Sequence, residues 1–109
     1  MRVAVACDGE TVSPHFGRCE RFLVAEVSGT SIDRLPDLVN PGHEPGLLPR
    51  IMREQGIECV LAGGAGPRAV GMLQEAGIQF IAGVSGNATA ALADFAAGTL
   101  ESGDSSCEH

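Results

Sequence analysis

The segment Ser13-Pro14-His15-Phe16-Gly17-Arg18-Cys19 concentrates more usable chemistry than any other stretch of the sequence. His15 offers a borderline nitrogen and Cys19 a soft thiolate, the ligand types that suit iron–sulfur and related clusters. Gly17 lets the backbone come close to a bound group. Arg18 brings positive charge to an anionic cluster or lowers a thiol pKa. Ser13 and Pro14 shape the turn. Two candidate ligands alone do not make a site. The same spacing also suits a plain strand connection, with His15 at the surface and Cys19 a small buried hydrophobe.

Other groups qualify more weakly. Asp8-Gly9 closes an apolar run, and the carboxyl end of a central strand is where open α/β sheets place ligands, although Asp-Gly also simply forms turns. Cys7, beside it, reads as core. Gly63-Gly64-Ala65-Gly66-Pro67 joins a strand to a helix, whose free amides favour an anion; tight strand-to-helix packing explains the glycines equally well. Gly64-x-Gly66-x-x-Ala69 also matches a dinucleotide fingerprint, but no acidic residue follows at the required strand end. His43 lies in a Pro- and Gly-rich loop, and Cys107 and His109 are ligand types near the end of the chain. No Ser, His and Asp spacing suggests an acyl-transfer triad. Only Asp8 is placed for two-metal phosphodiester cleavage.

Composition narrows the possibilities further. The chain has 109 residues, 44% of them hydrophobic, with four Phe and neither Trp nor Tyr. That is enough for one domain with an aliphatic core, and it lacks the aromatic platforms on which single-stranded nucleic acids stack. Fourteen Asp and Glu stand against seven basic residues, all Arg and scattered, for a net charge of −7. A phosphate-rich partner is repelled by such a surface. The run Val3–Cys7 is too short for a signal-peptide core, and nothing reaches a transmembrane length, so the expected location is the cytoplasm. There the four cysteines are thiols or ligands rather than disulfides, and no CxxC pair exists, so any metal site is assembled from separated segments.

These groups must be positioned by a regular framework. Arg2–Asp8 reads as a central strand covered on both faces. Arg21–Val27 and Thr30–Leu38 read as a hairpin turning at Ser28-Gly29, and 40–46 reads as a loop. A helix beginning near Leu48 ends at Gly56, and a strand follows over Ile57–Ala62. Pro67 opens a second helix, stopped by Gly77, before a strand over Ile78–Ala82. Asn87 caps a last helix carrying Leu92 and Phe95 up to Gly98. The step Glu54-Gln55-Gly56-Ile57 to Ala62-Gly63 is echoed by Glu75-Ala76-Gly77-Ile78 to Ala82-Gly83, which implies parallel strands joined by crossovers. Residues 1–98 form the domain. Residues 99–109 form a flexible tail containing Cys107-x-His109.

The run Val3 to Gly9, then Val12-Ser13-Pro14-His15-Phe16-Gly17-Arg18-Cys19 and Phe22, resembles the opening signature of the dinitrogenase iron–molybdenum cofactor biosynthesis family, which includes NifX-like and NafY-like carriers and the C-terminal domain of NifB. The likeness continues through Asn40-Pro41, the step at Gly56, Gly63 to Pro67 and the helix around Phe95. It implies an RNase H-like α/β fold, with a mixed five-stranded sheet flanked by helices in a single domain. It further implies binding of an iron–sulfur or iron–molybdenum-type cluster, labile and without catalytic turnover. His15 and Cys19 match ligand-type positions of the motif, and Cys107-x-His109 is similar to tails of several stand-alone members. Cys7 stands where a hydroxyl residue is commoner.

The expected cofactor-binding residues are therefore Asp8, Ser13, His15, Phe16, Gly17, Arg18, Cys19, His43, Gly63, Gly64 and Gly66, with His15, Cys19, Cys107 and His109 as metal ligands. The leading function is a non-catalytic cluster carrier, monomeric or weakly dimeric, that meets cofactor-assembly proteins and neither nucleic acid nor membrane. The alternatives are a metal-free regulatory module docking on an assembly enzyme and, third, a small hydrolase or nuclease argued from fold alone.

Overall fold

The structure is a computed structural model that describes residues 1–42 and 46–100. The expected cofactor-binding residue His43, the expected ligands Cys107 and His109, and most of the expected tail lie outside the described residues. Strand β1 (Arg2–Asp8) runs through the middle of the molecule, with Val3 to Cys7 all buried, as its unbroken apolar run requires. A two-residue strand, β2 (Thr11–Val12), folds back on its end, pairing Cys7 with Val12 and Asp8 with Thr11. Strands β3 (Arg21–Ser28) and β4 (Ser31–Val39) form the expected hairpin, with Gly29 at φ +60 in the turn. Pro36 is tolerated in β4 because that strand is an edge of the sheet.

The second half alternates α1 (Leu47–Glu54), β5 (Cys59–Leu61), α2 (Pro67–Glu75), β6 (Gln79–Ile81) and α3 (Ala88–Ala97). The strand order is β4-β3-β1-β5-β6, with β2 attached to β1. β3 and β4 are antiparallel to their neighbours, whereas β5 and β6 run parallel to β1, as the repeated helix–glycine–strand pattern implied. Five strands make the continuous path, and β2 is a sixth that the sequence did not reveal. Its pairing is short, and Thr11 also bridges Asn87, a contact distant in sequence.

Alternation along β1 divides the core in two. Val3, Val5 and Cys7 face α3 with Leu23, Leu61, Ala91 and Leu92. Ala4 and Ala6 face α1 and α2 with Phe22, Val60, Met52 and Leu73. Alanines on this second face leave room for a ring delivered from the loop. Phe16 fills it, 5.5 Å from Phe22 and 6.1 Å from Phe80 between ring centroids. The helix ends behave as read: Gly56 and Gly77 adopt positive φ after α1 and α2, and the Asn87 side chain accepts the Ala90 amide at 2.9 Å. No helix among the described residues is long and apolar enough to cross a membrane.

Candidate functional site

The loop between β2 and β3 crosses the carboxyl ends of the parallel strands. Ser13 N–H donates to Ala6 O at 2.7 Å, Gly63 N–H to Ser13 O at 2.8 Å, and Phe16 N–H to Gly64 O at 2.9 Å. The loop is thus laced to the ends of β1 and β5, and Gly83 N–H to Gly63 O at 2.9 Å ties in the end of β6. Open α/β sheets form their ligand crevice at this edge. Phe16 begins a single 3-10 turn (Phe16–Arg18) and is 1% exposed, so its ring anchors the loop. Ser13 is fully buried. Its Oγ accepts the His15 amide at 3.1 Å and donates to His15 O at 3.2 Å, a local clasp that turns the exposed His15 outward.

Two adjoining hollows result, sharing Phe16, Gly17 and Gly66. One, of about 440 Å³, runs from His15 and Arg18 to Gly64 and Ala65. The other, of about 300 Å³, is more apolar, bounded by Leu48, Pro49, Ala69 and Met72, with Arg68 at its side. Together they form a cleft of small-ligand size between the loop and the start of α2.

The electrostatics of this cleft oppose those of the whole chain. Arg18 and Arg68 line it, neither has an acidic partner among the described residues, and no described lining residue is a carboxylate. The start of α2 has Gly66 as N-cap without a side-chain cap, Pro67 in its first turn and no acidic residue there. The amides of Gly64, Ala65 and Gly66 donate to no other described residue, and those of Arg68 and Ala69 precede the first intrahelical bonds. Free N–H groups, a helix N-terminus and two guanidinium groups together suit an anion.

The structure separates the expected site residues. His15, Phe16, Gly17, Arg18, Gly64 and Gly66 line the cleft. Gly63 lies beneath it and works by being small: a Cβ there would meet Pro14 Cα at 2.6 Å. Asp8 does not line the cleft. Its Oδ1 accepts Glu20 N–H at 3.0 Å while Glu20 Oε1 accepts Gly9 N–H at 3.1 Å, a reciprocal clasp closing the base of the loop. Cys19 is turned inward rather than toward His15. It is 3% exposed within the α1/α2 core, and burial pushes its thiol up to about 12. It directly follows the 3-10 turn, two residues before β3, and packs into the same cluster as Phe16, Phe22 and Val24. Cys59 is likewise pushed up by burial, to about 11, and Cys7 is raised for the same reason. Among the described residues, no group of three or more His, Cys, Asp or Glu could hold a metal ion.

Arg68, Met72 and Asn40 were not singled out from the sequence. Arg68 was findable, since it follows the proline at the start of a helix preceded by glycines. Asn40 entered only through the Asn40-Pro41 likeness, and nothing local signals its bonds to Gly17 and Cys19. Its Nδ2 donates to Cys19 O at 2.8 Å and Gly17 O at 3.2 Å, while its Oδ1 accepts Gly42 N–H at 2.9 Å.

A three-layer α/β domain with an anion-suited cleft at the carboxyl ends of its parallel strands is the class these features define. The chain belongs to the dinitrogenase iron–molybdenum cofactor family, whose sequence profile matches residues 1–98, as the resemblance implied. It is 28% identical over 83 residues to an uncharacterised protein of Methanocaldococcus jannaschii, MJ0580, covering 72% of this chain and 70% of that one. Among solved structures, PH0822 is similar with a TM-score of 0.86 and 30% identity, over 94% of this chain and 96% of its own. The apo form of the orange protein from Desulfovibrio gigas has a TM-score of 0.76 and 26% identity, over 94% and 92% of the two chains.

Proposed function

We propose that this protein is a non-catalytic, cytoplasmic carrier that holds an anionic iron–sulfur or iron–molybdenum-type cluster in the cleft and passes it to a cofactor-assembly protein. One observation carries the reading: a chain of net charge −7 keeps Arg18, Arg68 and a run of free amides together around a cleft that no described carboxylate lines. The family's association with the iron–molybdenum cofactor supports it, and so does a relative solved in an apo form.

The donor chemistry fits a cluster held mainly by charge and by amide hydrogen bonds to its sulfides or oxygens. His15 supplies one nitrogen ligand, and Met72 a weak thioether nearby. Further ligands come from Cys107 and His109. The nine residues after Leu100 span about 30 Å when extended, at ~3.3 Å each. The described fold is 33 Å in its longest dimension. Weak protein ligation suits a cargo that must leave again.

Anaerobic reconstitution of the full chain with ferrous iron and sulfide, and separately with tetrathiomolybdate, tests the reading. Wild type takes up chromophore. Arg18→Gln/Arg68→Gln and His15→Ala each lose most of it, and removal of residues 101–109 lowers retention. Equal uptake by wild type and these variants, or none by wild type, overturns the proposal.

A further inference from the structure

Asn40 lines neither hollow of the cleft, yet its one carboxamide is bonded to two segments that do. Nδ2 reaches Gly17 O and Cys19 O on the His/Cys loop, and Oδ1 takes the amide of Gly42, two residues on in Asn40's own loop. Gly17 and Gly42 both line the apolar compartment. The Asn40 backbone adds a bond of 3.3 Å to Glu20 O, next to the Asp8–Glu20 clasp. Apart from the long contact to Cys19 Sγ, every partner is a main-chain atom, so the bonds dictate backbone position.

Without this carboxamide, two carbonyls of the loop lose a described donor. The 3-10 turn is then held by the Phe16 ring inside the core, by Phe16 N–H to Gly64 O at 2.9 Å and by its own bond from Arg18 N–H to His15 O at 3.1 Å. Nδ2 also lies 4.0 Å from Cys19 Sγ, so the group that fixes the Cys19 carbonyl covers its thiol as well. A segment secured by few bonds opens locally at far lower cost than the whole domain.

We propose that Asn40 is the positioning residue that latches the His/Cys loop to the Gly42 side of the apolar compartment and controls access to the Cys19 thiol, and thereby the release of the cluster. This rests on the carrier reading for the cargo, though the latch itself is measurable without any cargo. Cluster capture is governed by Arg18, Arg68 and the amides before α2, none of which Asn40 touches. Its loss therefore acts on dissociation rather than association.

The test compares full-length wild type, Asn40→Ala and Asn40→Asp. The aspartate keeps an acceptor for Gly42 N–H but sets a negative oxygen against the Gly17 and Cys19 carbonyls. Alkylation by iodoacetamide at one fixed pH, resolved cysteine by cysteine in chymotryptic peptides, reads the latch directly. Cys19 reacts about tenfold faster or more in both variants, from the loss of two hydrogen bonds, while buried Cys59 in β5 reacts at the wild-type rate. With tetrathiomolybdate as probe, Asn40→Ala raises the dissociation rate about tenfold and leaves the association rate within about twofold. Unchanged Cys19 reactivity, or reactivity rising in step with Cys59 as in global unfolding, overturns the latch. Failure of wild type to bind the probe removes the carrier reading instead, and alkylation still decides whether Asn40 is a latch.

Discussion

Pro14 and Gly63 approach so closely that a Cβ on Gly63 would stand 2.6 Å from Pro14 Cα and 3.2 Å from Ser13 O. The contact accompanies the bond from Gly63 N–H to Ser13 O, so the end of β5 and the His/Cys loop are seated on one another. Both obstructing atoms are backbone, and no side-chain rotation relieves the clash. Gly63→Ala therefore displaces the loop, at a cost of about 1–3 kcal/mol in denaturant midpoint measurements, and weakens cluster uptake. Gly71→Ala is the control. Its Cβ meets nothing within 4 Å in the interior of α2, and the helix gains roughly 0.5–1 kcal/mol.

The charge of the cleft has a kinetic signature. Arg18→Gln and Arg68→Gln each lower the affinity for tetrathiomolybdate severalfold, and the dependence of affinity on salt becomes shallower in each. Arg50→Gln, whose guanidinium lies 4.0 Å from Glu54 and away from the cleft, leaves both unchanged. Titrations at two ionic strengths separate these outcomes.

The buried thiols set an alkaline limit on stability. Cys19 is raised from an ordinary 9.0 to about 12 and Cys59 to about 11, both chiefly by desolvation. Between 9.0 and those values the folded chain holds protons that the unfolded chain releases. The stability contributed by keeping the thiols neutral is therefore complete below 9.0 and falls as pH rises from there toward the folded values. Urea midpoints should be insensitive to these groups at neutral pH and decline above 9.0, and Cys19→Ala should flatten the decline. A decline of equal slope in that variant would assign the effect elsewhere.

At Asn87 a single side chain starts α3 by accepting Ala90 N–H at 2.9 Å. Asn87→Ala removes that acceptor and costs about 1 kcal/mol, a drop of roughly 5 °C in Tm for a domain this size. Asn87→Ser restores most of it. Because Thr11 bridges Asn87 through the backbone, the β2 pairing survives either change.

Much of the framework was legible because its signals are local. The apolar run Val3–Cys7, the glycines that stop α1 and α2, Pro67 at the start of α2 and Asn87 at the start of α3 each express a preference of a few neighbouring residues. Strand ends were less so. The runs read over Ile57–Ala62 and Ile78–Ala82 pair only over Cys59–Leu61 and Gln79–Ile81, since pairing extends only as far as a neighbouring strand reaches.

By itself the sequence determined the five strands of the continuous sheet path and the three helices, and that a His/Cys loop lies between the first strand and the hairpin. What the loop presents was decided only by tertiary structure. A loop has no period from which to read a facing direction. Cys19 turns into the α1/α2 core because the chain leaves the 3-10 turn beside Phe16, whose ring is seated there against Phe22 and Phe80. Asp8 turns to Glu20 because the loop closes there. Arg18 and Arg68 come to line adjoining hollows, and Asn40 reaches Gly17 and Cys19, across separations that no local preference spans. The ligand types were written in the chain, and folding selected which of them reach the cleft.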